Sequence, residues 1–267
     1  MRISILQTDI VWENKQENLR RLREKLETLR GTTEIVVLPE TFSTGFSMDT
    51  ASLAEPTTGE TIATLRQWSE EYRLALAGSY IACETASEGG KPSYYNRAFF
   101  LTPEGNAYYY DKRHLFRMGH ETEHFTPGNR RPIIRYRGWN ILLLVCYDLR
   151  FPVWSRNTSN EYDLLIYVAN WPIPRRKVWD ILLQARALEN ISYVCGVNRI
   201  GKDGRDIPHS GGSVVSPKGE VLATVPDNEE AIATASLNLS SLQEFRLKFP
   251  AWKDADEFVI SSNNSSQ

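Results

Sequence analysis

Three segments of the chain each place a reactive side chain directly after a short apolar or aromatic run. Glu40 follows the letters VVLP, Lys112 follows YYD, and Cys146 follows ILLLV. In open α/β sheets ligands bind at the carboxyl ends of the strands, so residues at these positions are well placed to meet a substrate. A carboxylate, an ammonium group and a thiol brought together there would supply a general base, a cation for a developing oxyanion and a nucleophile.

The cysteine segment has the outline of a nucleophile elbow, in which the reactive residue stands on an abrupt turn after a strand. Cys146 ends an apolar run, and polar, turn-forming residues follow it. In such a turn the backbone N–H of Tyr147 points at the substrate oxyanion, and a helix that starts there favours the thiolate. Cys83 and Cys195 lie inside strand patterns with no acid, base or turn beside them, which indicates packing residues.

Taken singly, each of the three reactive residues also has an ordinary structural interpretation. Glu40 alone fits a solvated carboxylate at a strand end, Lys112 fits a surface lysine, and Cys146 fits a buried, inert cysteine. Three such groups, all at predicted strand ends, form a far more specific pattern than any one of them. The combination therefore favours a catalytic interpretation.

Three histidines close to the lysine segment raise the question of a metal site. They are His114, His120 and His124. Their spacing fits a helical zinc pair poorly, because Gly119 and Pro127 interrupt any helix that would carry them. The sequence therefore predicts no metal site.

The elements that must position these residues alternate between strands and helices. Residues 3–7 and 34–38 are predicted strands, and leucines recur at helical spacing in between, which predicts an amphipathic helix over 15–30. An opening of this β-α-β kind makes its two strands parallel neighbours. The pattern then predicts a helix over 61–72, a strand over 74–81, a polar turn over 88–92, and a hairpin of strands 96–101 and 107–110.

The second half of the chain repeats this order. It predicts strands over 139–145, 164–168 and 192–198, a helix over 178–190, and a hairpin of strands 213–215 and 221–224. Pro-x-Gly turns occupy matching places in both halves. We therefore predict one α/β domain with internal pseudo-symmetry, a four-layer α-β-β-α sandwich of two mixed sheets with helices outside. This domain is expected to span residues 1–258, and residues 259–267 are expected to form a flexible tail.

Composition limits the classes of function. The 267 residues carry 31 basic and 33 acidic side chains, a net charge of −2, without a dense Lys/Arg block. This balance argues against nucleic acid or an anionic membrane as the main partner. No segment approaches the ~20 apolar residues of a membrane helix, and the first residues do not resemble an export signal. With only three cysteines, the chain is expected to be a globular cytoplasmic protein without disulfides.

Taken together, the three segments resemble the nitrilase superfamily of carbon–nitrogen hydrolases, whose signature is a Glu-Lys-Cys triad. The glutamate segment matches LPETF around Glu40, the lysine segment matches YDKRHLF around Lys112, and the cysteine segment is CYDLRFP from Cys146. Two flanking features also match, ARALEN at 185–190 and HSGGSVVSPKG at 209–219. The resemblance covers roughly residues 1–250 and implies a nitrilase-like sandwich.

The resemblance also implies a mechanism. Glu40 would take the thiol proton while Cys146 attacks an amide carbonyl, and Lys112 and the Tyr147 N–H would hold the oxyanion. Ammonia would leave a thioester that water then hydrolyses, with no cofactor. Members of the family carry a second glutamate before a Ser/Thr-Pro-Gly turn. Glu121 occupies that position and is expected to orient the lysine and the substrate amide.

One departure from the family concerns the segment after the nucleophile. Relatives often carry an acidic residue after the Phe-Pro pair, where this chain has Val153 and Trp154. The usual partner of Arg150 is thus missing from the pattern, and the rim of the pocket is expected to differ there.

The stretch 112–121, together with VANWP at 168–172, resembles the omega-amidase branch of the superfamily. That branch hydrolyses the terminal amide of 2-oxoglutaramate or 2-oxosuccinamate to a 2-oxo dicarboxylate and ammonia. The far carboxylate of such a substrate needs a cation. Arg113 and Arg117 are candidates, unless they pair with surface carboxylates, and Asn170 and Trp171 are expected to line the pocket.

Other functions stay open at this stage. The same triad could serve an N-carbamoyl amino acid hydrolase or an aliphatic amidase, and a remote alternative is a non-catalytic binding or scaffold protein. In each enzymatic case the expected partner is a small amide, with no nucleic acid and no membrane. Relatives commonly dimerise through helices, so the resemblance also implies a homodimer.

Overall fold

The computed structural model describes residues 1–85 and 90–259, and two six-stranded sheets form its centre. The first half of the chain contains β1 (Arg2–Gln7), α1 (Lys15–Leu29), β2 (Ile35–Val37), α2 (Thr50–Leu53), α3 (Glu60–Tyr72), β3 (Ala75–Glu84), β4 (Ser93–Leu101), β5 (Ala107–Asp111) and α4 (Glu121–His124). The second half contains β6 (Ile133–Tyr136), β7 (Trp139–Val145), α5 (Pro152–Ser155), β8 (Leu164–Ala169), α6 (Arg176–Asn190), β9 (Tyr193–Asn198), β10 (Gly201–Lys202), β11 (Pro208–His209), β12 (Ser213–Val215), β13 (Val221–Thr224), β14 (Ala231–Ser236) and α7 (Leu239–Lys248).

The two sheets have the same topology. The first has the order β14-β1-β2-β3-β4-β5 and the second the order β13-β12-β9-β8-β7-β6. In each sheet three successive strands run parallel, β1-β2-β3 and β7-β8-β9, and an antiparallel hairpin follows on one side. A single antiparallel strand, β14 or β6, closes the other side. The predicted pseudo-symmetric sandwich of two mixed sheets is thereby confirmed.

Alternation of side chains along the strands creates the layers of the sandwich. On β1, Ile3 and Ile5 belong to the apolar cluster between the sheets, whereas Leu6 belongs to the cluster under α1 and α3. This is the pattern expected for a strand with period two that is covered on both faces. Helices α1 and α3 cover the outer face of the first sheet, and α6 packs on β9 and β12 of the second.

Helix α1 forms where the leucine periodicity predicts it. Its buried leucines are Leu19, Leu22, Leu26 and Leu29. The side chain of Asn14 accepts a hydrogen bond from the backbone N–H of Glu17 at 3.1 Å, which satisfies one free donor at the helix start. At the corresponding place in the second half, between β7 and β8, the chain forms only the four-residue α5 and two single 3-10 turns.

Eight helices and strands of the described residues were not predicted from the sequence. Five of them are short, namely α2, α4, α5, β10 and β11, and the other three are β6, β14 and the helix α7. Strand β14 pairs with β1 over its full length, from Arg2 opposite Ser236 to Gln7 opposite Ala231. Helix α7 is held by the buried Arg246, which bonds Asp163 at 2.7 Å.

Two expectations fall partly or wholly outside the described residues. The polar turn at 88–92 includes two residues that the structure does not describe, and the expected tail is described only at residue 259. In residues 1–85 and 90–259, no helix combines the length and the apolar character that crossing a membrane requires.

Close approach of α6 to β9 gives a prediction about stability. A Cβ atom on Gly196 would lie 2.4 Å from Leu183 Cδ1 and 2.8 Å from Trp179 Cζ2. Both neighbours are fully buried, so a side chain or the helix itself must shift to accept the methyl group. The substitution Gly196→Ala should therefore lower the free energy of unfolding by about 1–3 kcal/mol, measured by urea denaturation. Wild-type stability in this variant would mean that α6 can move away from the sheet at no cost.

Candidate active site

The structure brings the predicted reactive residues together at one edge of the sandwich. Glu40 lies three residues after β2, Lys112 directly follows β5, and Cys146 directly follows β7. Glu40 and Lys112 are buried, whereas Cys146 is partly accessible, and all three line the same cavity. Glu121, at the start of α4, is fully buried and contacts Lys112 from the other side.

Two carboxylates surround the ammonium group of Lys112. Its Nζ donates to Glu40 Oε1 at 2.9 Å and to Glu121 Oε1 and Oε2 at 3.0 and 2.9 Å. Burial would lower the pKa of Lys112, but the charges of Glu121 and Glu40 outweigh it and raise that pKa above its ordinary value. The lysine therefore stays an ammonium at neutral pH.

Glu40 is fixed by hydrogen bonds to both carboxylate oxygens. Its Oε1 accepts from Asn96 Nδ2 at 2.7 Å, in addition to the lysine, and its Oε2 accepts from the backbone N–H of Asn170 at 2.8 Å. Asn170 Nδ2 also donates to the Glu40 carbonyl at 2.6 Å. The carboxylate consequently has one orientation relative to the cavity, as a general base requires.

Cys146 stands on a strained turn. Its φ is 45°, in the left-handed region, and residues 146–150 form a 3-10 turn directly after β7. Sγ lies 3.9 Å from the Asn170 carbonyl oxygen. Burial and the neighbouring charge of Glu40 raise the pKa of the Cys146 thiol, although Lys112 acts in the opposite direction. The thiol is therefore protonated at neutral pH and needs a base before it can attack.

The turn leaves backbone donors free beside the nucleophile. N–H groups at the start of a helical turn have no acceptor within that turn, and Tyr147 is its second residue. The Tyr147 ring packs between Phe116 and Phe151, with centroid distances of 5.1 and 5.2 Å. This packing holds the backbone of Tyr147 in place next to Cys146.

Asp148 is a positioning residue that sequence reasoning missed. It is fully buried, and its Oδ2 accepts from the Val145 N–H at 3.0 Å and from the Tyr110 hydroxyl at 2.7 Å. Its Oδ1 accepts from the His114 N–H at 3.0 Å. One carboxylate thereby joins the cysteine turn to the segment that carries Lys112. The letters CYD contain this residue, but nothing in the local pattern indicates bonds that reach 34 and 38 positions back along the chain.

The Thr-Pro-Gly turn packs against the backbone of Asp111 and Lys112. The Gly128 N–H donates to the Lys112 carbonyl at 3.0 Å, and a Cβ at Gly128 would lie 2.1 Å from the Asp111 carbonyl oxygen. Only glycine permits this approach. Glu121 Oε2 also accepts from the Phe116 N–H at 2.5 Å, so that its carboxylate is held on two sides. Burial, together with Glu40, raises the pKa of Glu121, although Lys112 opposes this shift.

The cavity next to Cys146 has a volume of about 450 Å³. Its lining includes the expected Asn170 and Trp171, and three arginines that the sequence analysis did not assign to substrate binding. These are Arg150, Arg175 and Arg205. None of the three forms an ion pair with a residue in the described part of the chain, and Arg150 stacks over the Trp171 ring at 5.4 Å.

The two arginines expected to bind a substrate carboxylate lie elsewhere. Arg113 stacks over the Trp154 ring at 4.4 Å and lines a separate surface depression, and Arg117 is exposed outside the lining of the cavity. Arg113 comes directly after Lys112 and points away from it, because neighbouring residues of an extended segment face opposite sides. The surface ion pairs considered as an alternative are likewise not seen for either arginine among residues 1–85 and 90–259.

The histidines near Lys112 are engaged separately. His114 Nδ1 lies 2.8 Å from Asp148 Oδ1, His120 Nδ1 lies 2.8 Å from Glu123 Oε1, and His124 is exposed. In the described part of the chain, no three His, Cys, Asp or Glu side chains converge as metal ligands would.

The other two cysteines lie in strands, as the sequence predicted. Cys195 is buried in β9 and Cys83 lies near the end of β3.

Comparison with known proteins identifies the family. The chain is 45% identical over 263 residues to the omega-amidase YafV of Escherichia coli (strain K12), covering 97% of this chain and 98% of that protein. It is 30% identical over 256 residues to the 2-oxoglutaramate amidase of Bacillus subtilis (strain 168), covering 94% and 96%.

A solved structure agrees with these relatives. The XC1258 protein of Xanthomonas campestris, described as a CN-hydrolase superfamily protein with an arsenic adduct in its active site, superposes with a TM-score of 0.92 at 37% identity. The superposition covers 98% of this chain and 99% of that one. The model of the carbon-nitrogen hydrolase family matches residues 2–247. The chain with this Glu-Lys-Cys site therefore belongs to the carbon–nitrogen hydrolase family.

Proposed function

We propose that this protein is an omega-amidase, which hydrolyses the terminal amide of 2-oxoglutaramate or 2-oxosuccinamate to the 2-oxo dicarboxylate and ammonia. One observation carries the proposal: a thiol, a fixed carboxylate and a buried ammonium meet at a cavity that is also lined by three arginines without an ion-pair partner among the described residues. The thiol, carboxylate and ammonium suit attack on an amide carbonyl, and the arginines suit an anionic substrate. The names of the E. coli and B. subtilis relatives point to the same activity.

In the first half of the reaction Glu40 acts as the base and Cys146 as the nucleophile. Glu40 takes the thiol proton, and Sγ attacks the amide carbon to give a tetrahedral oxyanion. Lys112 and the Tyr147 N–H stabilise that oxyanion, and donors of this kind are worth about 3–4 kcal/mol each. Glu40 then gives the proton to the departing nitrogen, so the carbon–nitrogen bond breaks, ammonia leaves and a thioester forms.

In the second half of the reaction the same groups act on water. Glu40 takes a proton from a water molecule, and the resulting hydroxide attacks the thioester carbon. The oxyanion forms again at Lys112 and the Tyr147 N–H, and the carbon–sulfur bond breaks as the thiol regains its proton. Glu121 does not transfer a proton in this scheme. Its two bonds to the ammonium keep Lys112 in place through both halves.

The far carboxylate of the substrate would bind at the arginine side of the cavity. Arg150 is the last residue of the 3-10 turn that begins at Cys146, and Arg175 ends a 3-10 turn shortly after Asn170 and Trp171. Arg175 is further fixed by stacking over the Phe116 ring at 5.3 Å, and its carbonyl accepts the Trp171 indole N–H at 2.8 Å. A planar guanidinium can bind a carboxylate through two parallel hydrogen bonds.

The protein would act as a homodimer in a reducing compartment such as the cytoplasm. Helix α6 exposes Ile181 and Leu188, each 52% accessible. They lie seven residues apart and so share one face of the helix. A second copy of the chain would cover such a face. The reaction itself requires a free thiol at Cys146, which a reducing environment preserves.

Removal of the nucleophile tests the reaction class. The variant Cys146→Ala should lose ammonia release from 2-oxoglutaramate by at least about 10³-fold, because no thioester can form. The matched control Cys83→Ala removes a thiol outside the cavity and should retain wild-type rates. Full activity in the Cys146 variant would refute the mechanism. Strong wild-type cleavage of N-carbamoyl amino acids or aliphatic amides, with little of the two 2-oxo amides, would refute the substrate and leave the triad intact.

The role of Glu40 can be tested through the pH dependence of thiol alkylation. Its negative charge is one reason that the pKa of Cys146 is raised. In Glu40→Gln the pKa should fall, so the alkylation rate with iodoacetamide should rise at a lower pH than in wild type. Hydrolysis should at the same time fall by about 10²–10⁴-fold, because the base is lost. Mass spectrometry of the Cys146 peptide measures the profile, with Cys83 as internal control. An unchanged profile, or one shifted to higher pH, would contradict this role.

Substitution of the cavity arginines tests carboxylate binding. Arg150→Ala and Arg175→Ala should each raise KM for 2-oxoglutaramate by about 10- to 100-fold, because a charge-assisted pair is lost. Neither change should alter KM for an uncharged aliphatic amide. Arg113→Ala is the matched control outside the cavity and should behave as wild type. If only the Arg113 variant raised KM, the carboxylate would lie on the other side of the lysine segment.

A further inference from the structure

Among the described residues, the catalytic scheme leaves one buried titratable side chain of the cavity without a role. His209 lies on the short strand β11, and its backbone pairs with Pro172, two residues after Asn170. His209 lines the same cavity as Cys146 and the three arginines, and it also borders a second depression beside Asp9 and Glu230. This residue is therefore on the wall of the chamber that a substrate would occupy.

The Nδ1 atom of this imidazole lacks a hydrogen-bond partner in the described part of the chain. His209 is 3% accessible, and its Nδ1 is buried without a partner among the residues that the structure describes. Nε2 lies 3.9 Å from Asp203 Oδ2, beyond hydrogen-bond distance. Asp203 instead accepts the backbone N–H groups of Arg205 and Ile207 at 2.8 and 3.0 Å. A buried polar group left unpaired in this way destabilises the fold, and a ligand that pairs with it removes the penalty.

The surroundings also keep this imidazole uncharged. Burial lowers the pKa of His209 to about 4, and the positive charge of the buried Arg199 acts in the same direction, against a weaker opposite effect of Asp203. A neutral imidazole carries one N–H donor and one acceptor nitrogen. At neutral pH, therefore, the side chain offers the cavity a hydrogen bond without a charge.

We propose that His209 donates a hydrogen bond to the 2-oxo oxygen of the substrate and so selects 2-oxo acid amides over amides that lack this oxygen. The inference rests on the proposed function. The cavity arginines match the carboxylate of the substrate, and Glu40 and Lys112 are already bonded to each other. The 2-oxo oxygen is an uncharged acceptor that still needs a partner, and His209 is an uncharged buried donor on the wall of this cavity. An amino group in place of the 2-oxo group would place a further positive charge next to the positively charged arginines.

The test compares two substrates that differ only in the 2-oxo oxygen, 2-oxoglutaramate and glutaramate. His209→Ala should lower kcat/KM about tenfold for 2-oxoglutaramate and by less than about twofold for glutaramate. His209→Gln, which keeps an N–H donor, should recover part of the loss. Ile207→Ala is the matched control: it loosens the same wall without removing a polar group, and should change both substrates by the same factor.

A second measurement uses inhibition by the product. Wild type should bind 2-oxoglutarate more tightly than glutarate, and His209→Ala should lose that preference. His209→Phe fills the ring volume without nitrogen atoms and takes the place of the alanine variant if thermal melting shows that the latter is unfolded. Equal losses for both substrates in the His209 variants, or no loss for either, would overturn the role of His209. Wild-type protein that leaves 2-oxoglutaramate intact would overturn the proposed function itself.

Discussion

The buried ammonium group of Lys112 is the charge around which the site is built. An unpaired cation in the interior costs several kcal/mol or more, so this lysine can be buried only between anionic partners. Glu40 and Glu121 meet that demand at 2.9–3.0 Å. Burial and the charge of Glu40 in turn favour the protonated form of the Cys146 thiol, against the opposite effect of Lys112. The carboxylate of Glu40 thus stabilises the lysine and also keeps the neighbouring thiol protonated.

The packing of the two sheets against each other brings these charged groups together. Glu40 and Lys112 come from the first sheet and Cys146 from the second, so the three groups meet only when the sheets are packed in register. The apolar layer between the sheets provides that register, because its residues are nearly all fully buried. Asp148 adds a polar link across the same boundary, since it bonds both the cysteine turn and the Tyr110 hydroxyl of the first sheet. A change that disturbs the core between the sheets therefore also disturbs the geometry of the site.

Sequence reasoning predicted the strands whose burial is continuous, such as β7 at Trp139–Val145, and the helix whose leucines recur at every turn. It missed β14, because AIATAS alternates alanines with exposed residues and becomes a strand only by pairing with β1. Glu40, Lys112 and Cys146 could be singled out because each of them follows a recognisable run. Asp148 and His209 could not, because Asp148 is defined by bonds to distant residues and His209 by an Nδ1 atom without a partner among the described residues.

The pairing of β14 with β1 has a consequence for the order in which the protein is made. The amino group of Met1 donates to the Leu237 carbonyl, 236 positions further along the chain, and β14 closes the open side of the first sheet. During synthesis β1 leaves the ribosome long before its partner β14. The first half can therefore gather its parallel strands early, but it keeps an exposed edge until β14 has been made. Because contacts between residues far apart in the sequence also slow folding, the nascent protein is most exposed to aggregation in this interval.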